Sequence, residues 1–434
     1  MKGDINIMKT YPILIVIITL FVMLDCYSDW NQYLGPDRNA ISKETGLLRL
    51  WKEEGPDVLW TFPLGEGFAG PVISDNKVYI LDRIQGKQDV LRCIDLDTGK
   101  EDWSFAYDAP GSVSHDGSRS VPTVDGNFIY ICGYFGHVYC VDKNTHKPVW
   151  HKNIWKDFGG DRIPNYGIVQ NPLIYGDLLI LAAQTKNAGV VAYNKLNGEI
   201  KWVSKPFPTE EGYVSPKLVN IDGETQIIMI GSDRFIKERK IDNDTPIGVV
   251  GIDPMTGKVL WTYQGWRCKI PIPNVTEIGD GRLFITGGYR SGSAMIRVEK
   301  KSNAYIVTEL YKTQAFGTHV HPPILYKGHL YAQCTDNTGR RDGMLCMDLE
   351  GNVKWKTGQS PEFDKGGMIL VDDLIISVDG VEGILYLIEP NPDSFKVLSK
   401  AKMLDTNQCW APLALSDGKL LIRDQKQMKC VLVR

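Results

Sequence analysis

The sequence predicts an all-β fold: an eight-bladed β-propeller of four-stranded antiparallel blades, its last blade closed by the N-terminal strand. Three observations predict it. A strand–turn–strand unit recurs at residues 91–103, 138–150, 190–202 and 249–261, and in shortened form at 344–355. A second hairpin, opened by proline and turned on Asp/Gly and Asn/Gly, lies upstream of the copies, as at Pro71, Pro122, Pro172, Pro323 and Pro412. The anchors ending the units, Trp60, Trp103, Trp150, Trp202, Trp261, Leu310, Trp355 and Leu398, lie 43 to 59 residues apart, close to the period of propeller repeats. Two hairpins per unit make the four strands of a blade.

The elements follow in chain order. Residues 11–24 form an apolar run preceded by Lys2 and Lys9, short for a membrane span and suited to the core of a secretory signal. It ends at Cys26, the candidate lipidation site if the signal is of the lipoprotein kind. Residues 1–26 are therefore expected to be a signal peptide, 27–57 an extended lead-in, and 58–434 a single propeller. The strand at 58–62 has no hairpin before it, and the chain ends after about three strands of a further unit. Joining the two completes an eighth blade and removes open sheet edges.

The repeated turn, Asp-x-x-Thr-Gly-Lys, has a local cause. The acidic or amide side chain caps backbone N–H groups, and glycine supplies the positive φ. Cys93, Cys140 and Cys346 stand two residues before the turn aspartate, where other copies carry Ala192 and Gly251. They read as small apolar residues of packed strands. No Cys-x-x-Cys pair occurs among the nine cysteines, so zinc-ribbon and thioredoxin-like chemistry have no support. With 49 basic and 52 acidic residues the net charge is −3, which removes the basic excess of a nucleic-acid binder.

The repeats resemble the pyrroloquinoline-quinone-like propeller repeat, shared by quinoprotein dehydrogenases and by the lipoprotein subunit of the outer-membrane protein insertion machinery. A secreted bacterial subgroup matches further, through Trp30-Asn-Gln-Tyr-Leu-Gly-Pro36, Ser42-Lys-Glu-Thr-Gly-Leu47, Lys156-Asp-Phe-Gly-Gly160 and Leu421-Ile-Arg-Asp-Gln425. The resemblance covers about residues 29–433 and implies an extracytoplasmic location, in the periplasm or at the outer membrane of a Gram-negative bacterium, lipid-anchored if Cys26 is modified. For the dehydrogenases it implies a quinone in the central funnel, calcium on carboxylate and amide oxygens, and an aspartate base. Many also pair adjacent cysteines against the cofactor. This sequence has no Cys-Cys dipeptide and lacks the long inserted loops.

On that ground the expectation is a non-catalytic propeller binding an envelope protein, peptide or glycan through one face. It is read as a binder rather than an enzyme, with no cofactor and no metal, and pyrroloquinoline quinone with calcium is disfavoured. The alternative is an enzyme acting on a carbohydrate or other small polar molecule in the funnel, with a quinone-dependent dehydrogenase as a variant. The candidate ligand-binding residues depart from the repeat: His115, Arg119, Tyr166, Tyr213, Arg290, His319, His321, Trp410, Arg423 and Asp424. Several precede the innermost strand of a blade, and loops on a rigid scaffold are where binding groups concentrate. Convergence of His115, Arg119, His319, His321 and Arg423 on one pocket would favour a site; scatter around the rim would favour a scaffold.

Overall fold

A computed structural model describes residues 29–207, 212–233, 246–335 and 341–434. Cys26 and the apolar run before it lie outside these. The described residues form eight four-stranded antiparallel sheets and contain no helix, and thus none long and apolar enough to cross a membrane. Seven sheets take four consecutive strands each. In the first, β2 (Val72–Ser74), β3 (Lys77–Ile84), β4 (Gln88–Asp95) and β5 (Glu101–Asp108) run outward in order. The eighth combines β30 (Ala414–Ser416), β31 (Lys419–Arg423) and β32 (Gln427–Leu432) with β1 (Asp57–Pro63). The amino-terminal strand thus closes the ring: Trp60 pairs with Cys430 and Phe62 with Met428.

One joint recurs between blades. The small residues of the third strands face the anchors: Cys93 opposes Trp103, Cys140 opposes Trp150, Ala192 opposes Trp202, Gly251 opposes Trp261 and Cys346 opposes Trp355. An indole and a large partner cannot share that space. The indole N–H reaches the turn of the next blade, as from Trp60 to the Leu96 carbonyl (2.8 Å), Trp150 to Lys195 (2.9 Å) and Trp202 to Pro254 (3.0 Å). The turn glycine packs under the ring. At Gly257, where φ is +71°, a Cβ would sit 2.4 Å from the Trp202 ring, so the repeat glycine answers a packing need as well as a turn need.

Every blade also carries a register shift between its third and fourth strands, directly before the anchor. This corrects two expected anchors. Leu310 and Leu398 fall on the bulge; the residues in the tryptophan register are Tyr311, opposite Met295, and Ser399, opposite Leu387 with Tyr386 opposite Lys400 beside it. A β-bulge offsets the count by one residue. The eight cysteines among the described residues are all buried and unbridged.

The lead-in crosses the propeller instead of trailing away. Trp30 and Ile73 exchange backbone hydrogen bonds of 2.9 Å, and Asn31 both donates to and accepts from Val124. Arg38 then penetrates among the inner strands. Its guanidinium donates to the carbonyls of Asn171, Pro172 and Pro216, and its Nε to Gln32 Oε1 at 2.8 Å. Burial without a facing carboxylate pulls this guanidinium down to about 9. The chain leaves along Leu370, bonded by Ala40 and Ser42, and reaches Ser399 through the Trp51 N–H. This segment brings Tyr33 onto the axis.

Candidate functional site

The residues just before each inner strand turn toward the axis, where they line one cavity of about 230 Å³. All eight blades contribute. Phe68 precedes β2; His115 and Arg119 precede β6 (Thr123–Asp125); Tyr166, Val169 and Asn171 precede β10 (Leu173–Tyr175). Tyr213 and Ser215 precede β14 (Lys217–Ile221), and Ile272 and Asn274 precede β18 (Thr276–Gly279). His319, Val320 and His321 precede β22 (Ile324–Tyr326), Lys365 precedes β26 (Met368–Val371), and Trp410 and Pro412 precede β30. Tyr289, from a loop of the fifth blade, and Tyr33, from the lead-in, complete the lining. A concave, largely apolar pocket with a few convergent polar groups is the usual form of a small-molecule site.

The loop carrying His115 and Arg119 is held from behind by a buried network. Asp89 accepts from Arg83 Nη1 (2.7 Å), the Tyr107 hydroxyl (3.0 Å) and the Tyr134 backbone N–H (3.1 Å). Arg83 Nη2 then donates to the carbonyls of Ala109 (3.0 Å) and Gly111 (2.5 Å), where the loop begins. Arg119 clasps its own loop through the Ser114 carbonyl (2.8 Å) and that of His115. His115 and Lys365, like Tyr289, adopt left-handed backbone conformations with φ between 55° and 59°. Such conformations concentrate where a structure over-determines a functional geometry.

A column of alternating charge and π-faces runs through the lining. Phe68 and Trp410 stack with centroids 5.3 Å apart at 24°. The Arg119 guanidinium lies 5.2 Å from the Phe68 centroid, and Lys365 Nζ 4.4 Å from that of Trp410. Cations over aromatic faces are attracted by the ring quadrupole, which lets two like charges persist in one pocket.

Burial disfavours the charged form of all three imidazoles. Burial, with Lys365 adding to it, pushes His319 down to about 4; burial also pushes His321 down to about 4. His115 is lowered too, by burial and then by Arg119 and Lys365. His321 donates from Nε2 to the Trp410 carbonyl (2.9 Å). Both ring nitrogens of His319, Trp410 Nε1 and Asn274 Nδ2 are buried with no hydrogen-bond partner. The His319 ring lies against Gly288, where a Cβ would come within 1.9 Å of it, and Tyr289 meets the same ring edge-on at 4.5 Å. Unpaired buried polar atoms are costly, and in a lining they mark where a ligand completes the bonding.

Of the residues singled out in the sequence, His115, Arg119, Tyr166, Tyr213, His319, His321 and Trp410 line this cavity. Arg290, Arg423 and Asp424 lie outside it. Arg423 ties blades together by donating to the carbonyls of Ala69, Gly65 and Asp424. Asp424 accepts from the backbone N–H groups of Asp405, Thr406, Lys426 and Gln427. Departure from a repeat marks such ties as readily as it marks a site. Phe68, Asn171, Asn274 and Lys365 escaped notice although each precedes an inner strand, and that position was the usable signal. Tyr33 had no local signal, because its place depends on where the lead-in crosses.

A propeller of eight blades closed around one funnel, apolar with a few convergent polar groups, defines the structural class. The comparisons with known proteins say what the chain resembles. Residues 86–267 match the family model described as outer membrane protein assembly factor BamB. A quinohemoprotein alcohol dehydrogenase of Comamonas testosteroni is 24% identical over 239 residues, covering 45% of this chain and 32% of the relative. A quinoprotein ethanol dehydrogenase of Pseudomonas aeruginosa is 28% identical over 193 residues, 41% of this chain and 28% of the relative. The aligned stretches thus span about a third or less of these relatives' own length. Among solved structures, the C. testosteroni enzyme superposes with a TM-score of 0.66 at 14% identity, covering 94% of this chain and 80% of that one. BamB from Moraxella catarrhalis gives 0.55 at 14% identity, covering 86% and 99%. Residues 86–267 thus match the family of the assembly factor, and the whole described chain shares the propeller fold of both kinds of protein.

These comparisons correct three sequence expectations. The chain was read as a non-catalytic binder, as a non-enzyme and as lacking a cofactor. Its curated relatives are quinoprotein and quinohemoprotein alcohol dehydrogenases, which favours the alternative reading of an enzyme in the funnel. The missing Cys-Cys pair and inserted loops do not decide against a site, since the lining assembles from residues scattered over the whole chain. The match to an outer-membrane assembly factor agrees with an extracytoplasmic location.

Proposed function

We propose that this propeller is a funnel enzyme, a quinone-dependent dehydrogenase acting on a small alcohol or carbohydrate hydroxyl. The observation that carries it is the single cavity to which all eight blades send side chains, with unpaired donors among them. The residues present suit an aromatic quinone bearing carboxylates: Arg119 and Lys365 answer its charge, Trp410 Nε1 and Asn274 Nδ2 its acceptor oxygens, and the aromatic lining its rings. When bound, such a quinone takes up the electron pair and hydrogen released by a carbinol carbon. His319 is the group fitted to receive the hydroxyl proton, because its imidazole is neutral and its nitrogens are unspent. His321 is held by the Trp410 carbonyl in the tautomer that leaves Nδ1 as an acceptor. Tyr33 adds an aromatic face to the lining.

The test is turnover of a panel of alcohols and sugars by the full chain reconstituted with pyrroloquinoline quinone, followed with an artificial electron acceptor. His319→Asn is expected to lower kcat by roughly 10²- to 10⁴-fold, the usual worth of a positioned general base, while quinone binding survives. Failure of the quinone to bind under any metal condition would sink the reading.

We also propose that the protein is exported and lipid-anchored through Cys26, and that an envelope protein, peptide or glycan docks outside the funnel; the assembly-factor likeness supports both. Intact-mass analysis of the mature amino terminus is expected to show an acylated Cys26, and an unmodified terminus would argue against the anchor.

A further inference from the structure

The charge balance of the funnel is one-sided. Among the described residues the lining holds Arg119 and Lys365 but no aspartate or glutamate. Two more cations are buried behind it. Arg38 meets only carbonyl oxygens and Gln32, and Lys217 Nζ donates to the Val275 carbonyl at 3.0 Å. Burial lowers Lys217 to about 8, opposed by Glu277 and helped by Arg38.

The carboxylates nearest the lining are already engaged. Asp364 accepts from Lys365 Nζ at 2.9 Å, and Asp116 accepts from the Tyr134 hydroxyl (3.2 Å) and the Val113 N–H (3.3 Å). No group of three or more His, Cys, Asp or Glu side chains among the described residues is placed to hold a metal ion. Of the lining amides, Asn171 already spends its oxygen on the Val121 N–H at 2.7 Å. Hard cations such as calcium require about six to eight oxygen ligands, carboxylates prominent among them. A calcium or lanthanide ion here would instead face Arg119, and the carboxylate of Asp364 is already spent on Lys365.

The donor set therefore fits the carboxylated quinone and not the metal. Resting on the proposed quinone reading, we propose that this funnel binds its aromatic polycarboxylate without a metal ion, with Arg119 and Lys365 providing the neutralising charge. Substrate selectivity follows the same logic: with the cations committed to the cofactor, an uncharged hydroxyl compound is the matching partner for the neutral histidines.

The experiment is equilibrium titration of the full chain with pyrroloquinoline quinone, read by tryptophan fluorescence and quinone absorbance, in EDTA, in calcium and in lanthanum. The expected result is stoichiometric binding in EDTA with an affinity that neither metal improves. Arg119→Met and Asp364→Asn/Lys365→Met are each expected to weaken binding in EDTA by roughly 10- to 100-fold, the worth of a charged hydrogen bond, with the folded state retained; Asp364→Asn accompanies Lys365→Met so that no buried carboxylate is stranded. Tight binding that requires calcium or lanthanum would overturn the metal-free inference and leave the quinone reading standing. Absence of binding in all three conditions, with the protein folded, would overturn both.

Discussion

Asp89→Ala is expected to destabilise the protein by about 3–5 kcal/mol, the cost of breaking a buried ion pair from one side. The Arg83 and Asp89 side chains are 2% and 0% exposed, with Nη1 and Oδ1 2.7 Å apart. Removing the carboxylate leaves a guanidinium that water cannot reach, and also strips the Tyr107 hydroxyl and the Tyr134 N–H of their acceptor. Burial, and then Asp89, already hold the Tyr107 hydroxyl well above its ordinary range, so it cannot ionise to compensate. Denaturant unfolding would show the loss as a lower midpoint. The double variant Arg83→Met/Asp89→Leu should recover most of it, because an apolar pair of similar volume avoids the stranded charge. If Asp89→Ala falls within about 1 kcal/mol of the parent, the network does not hold the loop as described. The same single variant should weaken ligand binding in the funnel, since the Ala109 and Gly111 carbonyls that anchor the His115–Arg119 loop bond to the stranded arginine.

Acid should destabilise the funnel through His319 and His321. Each is depressed from 6.5 to about 4, so between these values the unfolded chain binds protons that the folded chain refuses. Stability then rises with pH across that window: the contribution is fully present above 6.5 and is withdrawn as pH falls toward 4. For the two imidazoles together the loss is on the order of 5–7 kcal/mol. Carboxylate protonation also acts below pH 5, so the measurement is a difference: unfolding free energies of the parent and of His319→Asn/His321→Asn from pH 7 to pH 4. The parent should lose more than the variant. A pH-independent difference would mean the imidazoles are not held neutral by burial.

The balance between what was legible and what was hidden can be drawn at particular residues. The Asp-x-x-Thr-Gly-Lys turn is readable because Asp95 caps Thr98 through two bonds of 2.8 and 2.9 Å within four residues. Closure by β1 is readable because an unpaired strand at one end and a three-stranded blade at the other have only one economical solution. The anchors at Leu310 and Leu398 were misplaced by one residue, since a bulge leaves the local pattern intact while shifting register. Lys365 was missed because its place just before β26 is legible only once the strand boundaries of that blade are known.

Periodicity and turn chemistry therefore sufficed for the eight-bladed architecture, the small residues before the turn aspartate and the closing strand, all of which depend on contacts within a blade or with its neighbour. The funnel could be decided only in three dimensions. It joins Tyr33 to Trp410, and its character depends on which carboxylates stay outside and which cations turn inward. Those choices follow from the ring closing and the lead-in crossing it, long-range events that leave no signature at any single residue.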